Sequence, residues 1–502
     1  MAGFRAAGNG AKATVYDDTS ESPARASADD ERALLRAEND RLARRVAELE
    51  RKLSLQPQTG LPTRFRLELE LEELIEELSR GDDCAGFSLL IVQLGDAYTI
   101  VRKTLKSSVS EWILYQTGCR IAGLLGPRDR VFHTHENEFV LILPGTKGQE
   151  LGAFLRSLST RLSEPHIFSG INVAIKTATG VAYWPEHGRE RSAILHHADI
   201  AAGSAVEARK SFVLFKPELL KRVVERVELQ NSIIRAIESP ALEKIGDQFV
   251  MYYQPKLFAS AYEGRTLRID RIEAEALIRW KHPTKGLLGP STFIPLAEET
   301  GLILPLGKWL IYQCVRRLAA WQKEGRKSLA LSVNLSARQF HSEDAVEVLA
   351  SAIAASGLDP DKLTIELTET SLFGDPQAAA KILERFSSLG VHISVDDFGT
   401  GYSSLSHLHR FPLDEIKIDR LFIENLDGNR QDRIIVRSLV AIAKGLGLTL
   451  VAEGVERPEA LDILWDMGCR GFQGFLMAKP LPPEEFTAFQ DKIAAQGMVF
   501  TF

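Results

Sequence analysis

Ile393-Ser394-Val395-Asp396-Asp397-Phe398-Gly399-Thr400-Gly401-Tyr402-Ser403-Ser404 is an apolar run that ends in two adjacent carboxylates and a glycine-hinged loop. Val391, Ile393 and Val395 alternate with smaller or polar residues and are β-branched, which predicts a buried strand. Two ionised side chains held side by side repel each other and lose hydration, so a cation is needed to neutralise them. A hard divalent ion bound through oxygen meets that need. A plainer alternative is a strand end whose aspartates cap the next helix. It fails here because an apolar run followed by an acid recurs on both sides of this stretch.

Outward from that strand, strand and helix patterns alternate from Asp247 at intervals of roughly 20–60 residues, as repeated βα units do. Strands are predicted at 250–255, 271–278, 329–335, 363–367, 392–396, 415–418, 449–452 and 471–475. Eight such units in about 250 residues predict a TIM-like (βα)8 barrel, an α/β fold whose chemistry sits at the strands' C-terminal ends. Gln254, Glu275, Asn334, Glu366, Asp396, Asp397, Lys417, Glu453 and Gln473 fall at those ends. A barrel built for stability alone would not carry a polar or ionisable group on nearly every strand.

The whole chain, at 502 residues, has room for two or three domains. Its 45% hydrophobic and 25% charged content is that of a soluble globular protein. A net charge of −6 gives no electrostatic reason to expect a nucleic-acid polymer as partner. Cys84, Cys119, Cys314 and Cys469 form neither a CxxC pair nor a metal spacing, which predicts reduced core thiols. No apolar run reaches membrane-span length, and no apolar leader core is visible, so the expected location is cytoplasmic.

Residues 1–28 are rich in Ala, Gly, Ser and Asp and read as a disordered tail. Over 29–56, Leu35, Leu42 and Leu49 recur as d positions and Asn39, Val46 and Leu53 as a positions. This predicts a short parallel coiled coil whose Asn39 sets register and dimeric state; a single helix packed on its own domain is the alternative. A further α/β region spans 57–216, with helices at 66–79, 109–125 and 193–207 and strands at 86–94, 138–143 and 173–183. A charged helix over 217–240 then leads into the barrel region, 241–502.

Thr59-Gly60-Leu61-Pro62-Thr63-Arg64, Ala198-Asp199 and His135-Glu136-Asn137-Glu138-Phe139 give the 57–216 region a resemblance to diguanylate cyclase (GGDEF) domains. The resemblance breaks where the chemistry would sit. His135 and Glu136 replace the two glycines that let backbone approach a nucleotide, Asn137 replaces the acid after them, and Gln93 stands at the metal-binding aspartate. Gly126 stands at the arginine of the inhibitory RxxD site, leaving only Asp129. The expectation is a degenerate domain kept for regulation or dimerisation.

Glu275-Ala276-Leu277-Ile278-Arg279-Trp280 is similar to the signature of EAL-domain cyclic-di-GMP phosphodiesterases. Tyr253-Gln254-Pro255, Ser332-Val333-Asn334-Leu335-Ser336, Glu366-Leu367-Thr368-Glu369-Thr370, Asp396–Gly401, Ile416-Lys417-Ile418-Asp419, Ala452-Glu453-Gly454-Val455-Glu456 and Gln473-Gly474-Phe475 extend the likeness in order. The resemblance implies that Glu275, Asn334, Glu366 and Asp396 hold one cation, and Asp397 with Asp396 a second. An all-oxygen set favours Mg²⁺ or Mn²⁺ over zinc. Glu453 completes the acidic ring, and Lys417 holds or deprotonates the attacking water; the alternative for Lys417 is a plain ion pair with Asp396 or Asp419. Arg279 suits a bidentate grip on phosphate, or stacks on Trp280. Gln254, Gln473 and Asp419 are the remaining candidate substrate contacts, and Glu369 is the expected brace for the loop 398–404. His282 is expected to be structural. The implied function is hydrolysis of cyclic-di-GMP to linear pGpG by a homodimer, joined through the N-terminal helix and the barrel domain. The alternative is a receptor that binds cyclic-di-GMP without turnover.

Overall fold

The computed structural model describes residues 35, 37–42, 44–45, 54–80, 86–237, 245–373, 375–399 and 408–502. The chain divides into two units, Met1–Glu225 and Arg226–Phe502.

The first unit is built on β1 (Phe87–Leu94), β2 (Arg130–His135), β3 (Glu138–Pro144), β4 (His166–Phe168), β5 (Ile171–Val173), β6 (Thr177–Trp184) and β7 (Phe212–Leu214). Five of these form a sheet in the order β2-β3-β1-β6-β7, and β4 pairs with β5. The continuous apolar run of β1 reflects burial on both faces. Phe87, Leu89 and Ile91 join one core with helices Arg64–Arg80 and Arg191–Glu207, while Leu90, Val92 and Leu94 join another with Ser107–Ala122 and Gly148–Ser163. The sequence reading lacked β2 and the helices Asp96–Thr104 and Gly148–Ser163. The run His135–Phe139 is the turn of the β2–β3 hairpin, in which His135 faces Glu138.

The second unit contains β8 (Phe249–Glu263), β9 (Thr266–His282), β10 (Gly286–Leu288), β11 (Ala330–Leu335), β12 (Leu363–Thr368), β13 (His392–Phe398), β14 (Glu415–Ile418), β15 (Thr449–Ala452), β16 (Gly471–Gln473) and β17 (Val499–Thr501). Eight of them close a barrel, β9-β11-β12-β13-β14-β15-β16-β8, with β8 pairing back onto β9. Strands β9 and β11 to β16 run parallel to one another, whereas β8 is antiparallel to both β9 and β16. This corrects the expectation of eight identical βα units. Only Gly264 and Arg265 join β8 to β9, both at positive φ (55° and 62°). Such a two-residue turn makes a hairpin and leaves no room for a crossover helix. Leu331, Val333, Ile365, Leu367, Ile393, Val395, Ile416 and Ile418 pack outward from the strands against helices such as Ile303–Lys323 and Arg430–Leu446.

Among the expected heptad positions, Leu35, Asn39 and Leu42 are helical and exposed, and Val46, Leu49 and Leu53 lie outside the described residues, as does the 1–28 tail. Cys314 and Cys469 are buried as expected, Cys119 is exposed, and Cys84 lies outside the described residues. Among the described residues, no helix is long and apolar enough to cross a membrane.

Candidate active site

Strand register gathers the candidate residues at one mouth of the barrel. Ser332 pairs with Glu275, Asn334 with Glu366, Glu366 with Ser394, and Lys417 with Val451. Side chains two residues apart share a face, so Glu366, Lys417 and their partners all point inward. Asp396 and Asp397 sit where β13 loses register with β14 between Val395 and Phe398. Asp397 has φ of 54°, a conformation uncommon outside glycine. That break turns both carboxylates toward the mouth, where a regular strand would send one of them outward.

The ammonium of Lys417 is fully buried at the centre. Its Nζ lies 2.5 Å from Glu453 Oε1, 2.8 Å from Glu366 Oε2, 3.4 Å from Glu275 Oε2 and 3.4 Å from Asp396 Oδ1. Burial opposes its charge, but Asp396, Glu275, Glu366 and Glu453 outweigh burial and raise its pKa well above the usual lysine value. Beneath it lies a second ammonium, that of Lys256, with Glu366 between the two. Glu366 is held down to about 2 because Lys417 and Lys256 together overcome its burial.

One ammonium does not balance the upper group. Burial first, and then neighbouring carboxylates, raise the pKa values of Glu275, Asp396 and Glu453 against the pull of Lys417. Asp397 is pushed up to about 7 by burial, by Asp396 and by its hydrogen bond with Asp419. An oxygen-only cluster with surplus negative charge fits a hard divalent cation. Asp396, Asp397 and Glu453 each offer a carboxylate oxygen, all within 4.8 Å of one another.

Other expected residues fall around this centre. Asn334 Nδ2 donates to Glu275 Oε1 at 2.6 Å. Gln473 Nε2 donates to Glu275 Oε2 at 2.5 Å and to Gln254 Oε1 at 3.3 Å, while Gln254 Nε2 donates to the Ala478 carbonyl at 3.2 Å. Gln473 Oε1 is buried and has no partner among the described residues. Arg279 lies 5.5 Å over the ring of Tyr252, not Trp280, and donates to the Ile278 carbonyl. Among the described residues no carboxylate pairs with it, which leaves most of its fork available to an anion. Asp419 caps the helix Arg420–Ile423 by accepting from Leu421 N–H at 2.6 Å. Glu369 Oε2 accepts from Gly399 N–H at 2.9 Å, at the root of the 398–404 loop, of which 400–404 lie outside the described residues. His282 Nδ1 accepts from the Thr284 and Lys285 amides and shapes a turn.

Sequence reasoning missed the lower tier. Lys256, Glu273, Ser332, Ser394 and Glu415 are all buried inside the barrel. Lys256 shares the inward parity of Gln254 within an otherwise apolar stretch, Tyr252–Phe258, and that was the available signal.

In the first unit Glu138 is occupied by its neighbours. Thr134 Oγ1 donates to its Oε1 at 2.6 Å, and His135 Nδ1 lies 2.9 Å from the same atom. Gln93 Nε2 stands 3.5 Å from both Glu138 and Asp199. Arg102 pairs with Glu136, and Asn137 Nδ2 donates to the Leu94 carbonyl. Asp129 Oδ2 accepts from Gly126 N–H at 2.7 Å, closing its own turn.

Residues 238–480 match the EAL domain model, and residues 55–211 match that of the diguanylate cyclase, GGDEF domain. Among curated proteins, the bifunctional diguanylate cyclase/cyclic di-GMP phosphodiesterase MucR of Pseudomonas aeruginosa is 34% identical, over 86% of this chain and 60% of its own length. The cyclic di-GMP phosphodiesterase PdeR of Escherichia coli is 34% identical, over 85% of this chain and 62% of its own length. The chain thus spans about three-fifths of the length of the curated relatives it matches. The S helix-GGDEF-EAL structure of Vibrio cholerae LapD, bound to c-di-GMP, superposes with a TM-score of 0.56 at 17% identity, over 87% of this chain and 98% of that one. At that identity the likeness is one of fold. The chain therefore carries a GGDEF domain followed by an EAL domain.

Proposed function

We propose that the EAL domain hydrolyses cyclic di-GMP to linear pGpG with two Mg²⁺ or Mn²⁺ ions, and that the GGDEF domain is catalytically silent. The observation that carries this reading is the surplus of carboxylates around Lys417 at the barrel mouth. The phosphodiesterase names of MucR and PdeR support it. Glu275, Asn334, Glu366 and Asp396 would hold one ion, and Asp396 with Asp397 the other. Such ions supply charge neutralisation at the phosphodiester and a more acidic attacking water.

The remaining work falls to the chain's own groups. Arg279 grips a non-bridging phosphate oxygen, and Gln254, Gln473 and Asp419 contact the rest of the dinucleotide. Lys417, cationic among its carboxylates, holds the attacking water by its oxygen. Glu453, which binds a proton more readily than an ordinary glutamate, takes the proton that this water loses. The new bond forms between the water oxygen and phosphorus, the bond from phosphorus to the 3′ oxygen breaks, and a proton returns to that oxygen. One such event opens the ring and yields pGpG.

For the rest of the chain, we take 57–216 as the degenerate GGDEF domain, 217–240 as a connecting helix and 241–502 as the EAL domain. Dimerisation through the N-terminal helix and the EAL domain, in the cytoplasm, sets the rate. Incubation of purified protein with cyclic di-GMP and Mg²⁺ or Mn²⁺, followed by chromatography, tests the reading. The expected product is pGpG, lost in Glu275→Ala and Lys417→Ala. Undiminished turnover in those variants would refute the site. Ligand binding in EDTA, with no turnover after metal is restored, would instead indicate the receptor.

A further inference from the structure

We infer that Lys256 is a positioning residue that fixes the carboxylate of Glu366 for the mouth above it. The inference rests on the reading of that mouth as a metal-dependent site. Lys256 Nζ is fully buried. It donates to Ser332 Oγ at 2.6 Å, Glu366 Oε1 at 3.0 Å and Glu415 Oε1 at 3.2 Å. An ammonium has three N–H bonds, so this set accounts for all of them. Glu273 Oε2 lies 3.6 Å away, and Glu273 is in turn paired with Arg271 at 2.7 Å. Ser394 Oγ donates to the same oxygen, Glu415 Oε1, at 3.0 Å, a second bond that holds that carboxylate in place.

The two tiers therefore differ in charge. Below, Lys256 and Arg271 face Glu273 and Glu415, two cations against two anions. Above, Lys417 alone faces Glu275, Asp396 and Glu453. Glu366 belongs to both, with Oε1 bound to Lys256 and Oε2 to Lys417. A carboxylate tethered by both oxygens in a buried barrel has one orientation. Without Lys256, Glu366 would be free to rotate about its last bond, and its upper oxygen would no longer have a fixed place. Even with Glu366 counted, the lower tier sets two cations against three carboxylates and is far nearer balance than the mouth; its chemistry is to orient.

Partners of this kind behind metal-binding groups are worth about 10- to 100-fold in metal affinity. The test is Mn²⁺ binding, measured by calorimetry and by the electron paramagnetic resonance signal of free Mn²⁺, beside kcat and KM for cyclic di-GMP. Lys256→Met leaves Glu415 and Glu273 short of a cation, so Lys256→Met/Glu415→Gln is made with it to restore the charge count. If Lys256 positions Glu366, the double variant recovers its melting temperature but binds Mn²⁺ at least about tenfold more weakly. Its kcat falls with the affinity, and its KM stays close to that of the wild type. If Lys256 only offsets its neighbours' charge, the double variant recovers Mn²⁺ affinity and kcat together, and the inference is overturned. Should neither lysine variant fold, Ser332→Ala loosens the ammonium without changing any charge. It is expected to weaken Mn²⁺ several-fold, and unaltered affinity there would overturn the inference. A wild type that binds no Mn²⁺ would refute the reading of the mouth and this inference with it. Variants that match a binding wild type refute the inference alone.

Discussion

Lys417 and its carboxylates compete with a divalent ion for the same oxygens, and that competition makes two predictions at the scale of single residues. If Lys417 holds the attacking water as proposed, replacing it by methionine should lower hydrolysis of cyclic di-GMP by about 10²- to 10⁴-fold. The same change removes a positive charge from 2.8 Å beside Glu366 and 3.4 Å from Asp396. Mn²⁺ affinity of Lys417→Met should therefore hold or rise, and a calorimetric titration showing weaker binding would mean that the lysine supports the ion rather than the water. The second prediction concerns pH. Burial, and then Asp396, push the Asp397 carboxyl up to about 7 in the cation-free protein. Below that value its proton must leave before a cation can bind. Through this group Mn²⁺ affinity should thus drop about fivefold from pH 7 to 6 and close to tenfold from pH 6 to 5, and flatten above 7. Titrations at pH 6 in buffers of different ionisation enthalpy should report release of at least one proton per ion. A level profile from pH 5 to 7 would rule out Asp397 as a ligand.

Elements deliver these residues, and the sequence reveals elements to the extent that side-chain periodicity does. The mouth was legible because an inward acid or amide at the end of an apolar strand conflicts with simple core packing, as at Glu366 or Asp396. The reversed β8 was harder to see. Its residues alternate as any barrel strand's do, and only the length of the Gly264-Arg265 turn reveals the hairpin. Lys256 escaped because the expected strand ended at residue 255, one position short of it, whereas β8 runs on to Glu263. The helix Gly148–Ser163 was readable, since Leu151, Leu155, Leu158 and Leu162 form one buried stripe. The contact from Glu369 to Gly399 joins two elements and makes a prediction of its own. Glu369→Ala leaves a part-buried amide without that acceptor, a loss of about 1 kcal/mol. Borne by the loop root beside Asp397, it should appear as a hydrolysis rate lower by about fivefold. Glu369→Gln keeps an acceptor and should retain most of the rate. Equal losses in the two variants would show that the charge, not the hydrogen bond, matters there.

At the scale of the whole molecule, the proposal of a catalytically silent GGDEF domain makes predictions of its own. At its candidate site Glu138 is taken up by Thr134 and His135, and Gln93 brings an amide where a nucleotide-metal site needs a negative charge. The His135-Glu136-Asn137 turn adds side chains where close backbone approach would be needed. Incubation of the full chain with GTP and Mg²⁺ should yield no cyclic di-GMP, and restoring one acid by Gln93→Asp should not create the activity, because the turn still blocks approach. A measurable cyclase rate in the unaltered chain would refute the silent-domain reading. If the domain is silent, its expected contribution is regulation or dimerisation, and the helix before it is where pairing can be tested. The heptad leucines Leu35 and Leu42 are exposed on their own helix, as a two-stranded pairing requires. Deleting residues 1–56 should therefore lower the mass measured by light scattering, or shift its concentration dependence, and change the phosphodiesterase rate with it. Asn39→Leu in the full chain separates pairing from mere presence. If Asn39 occupies an a position of a paired coil, removing its polar side chain should relax the choice of oligomer and raise the population above dimer, whereas a helix packed only on its own domain would leave the mass unchanged.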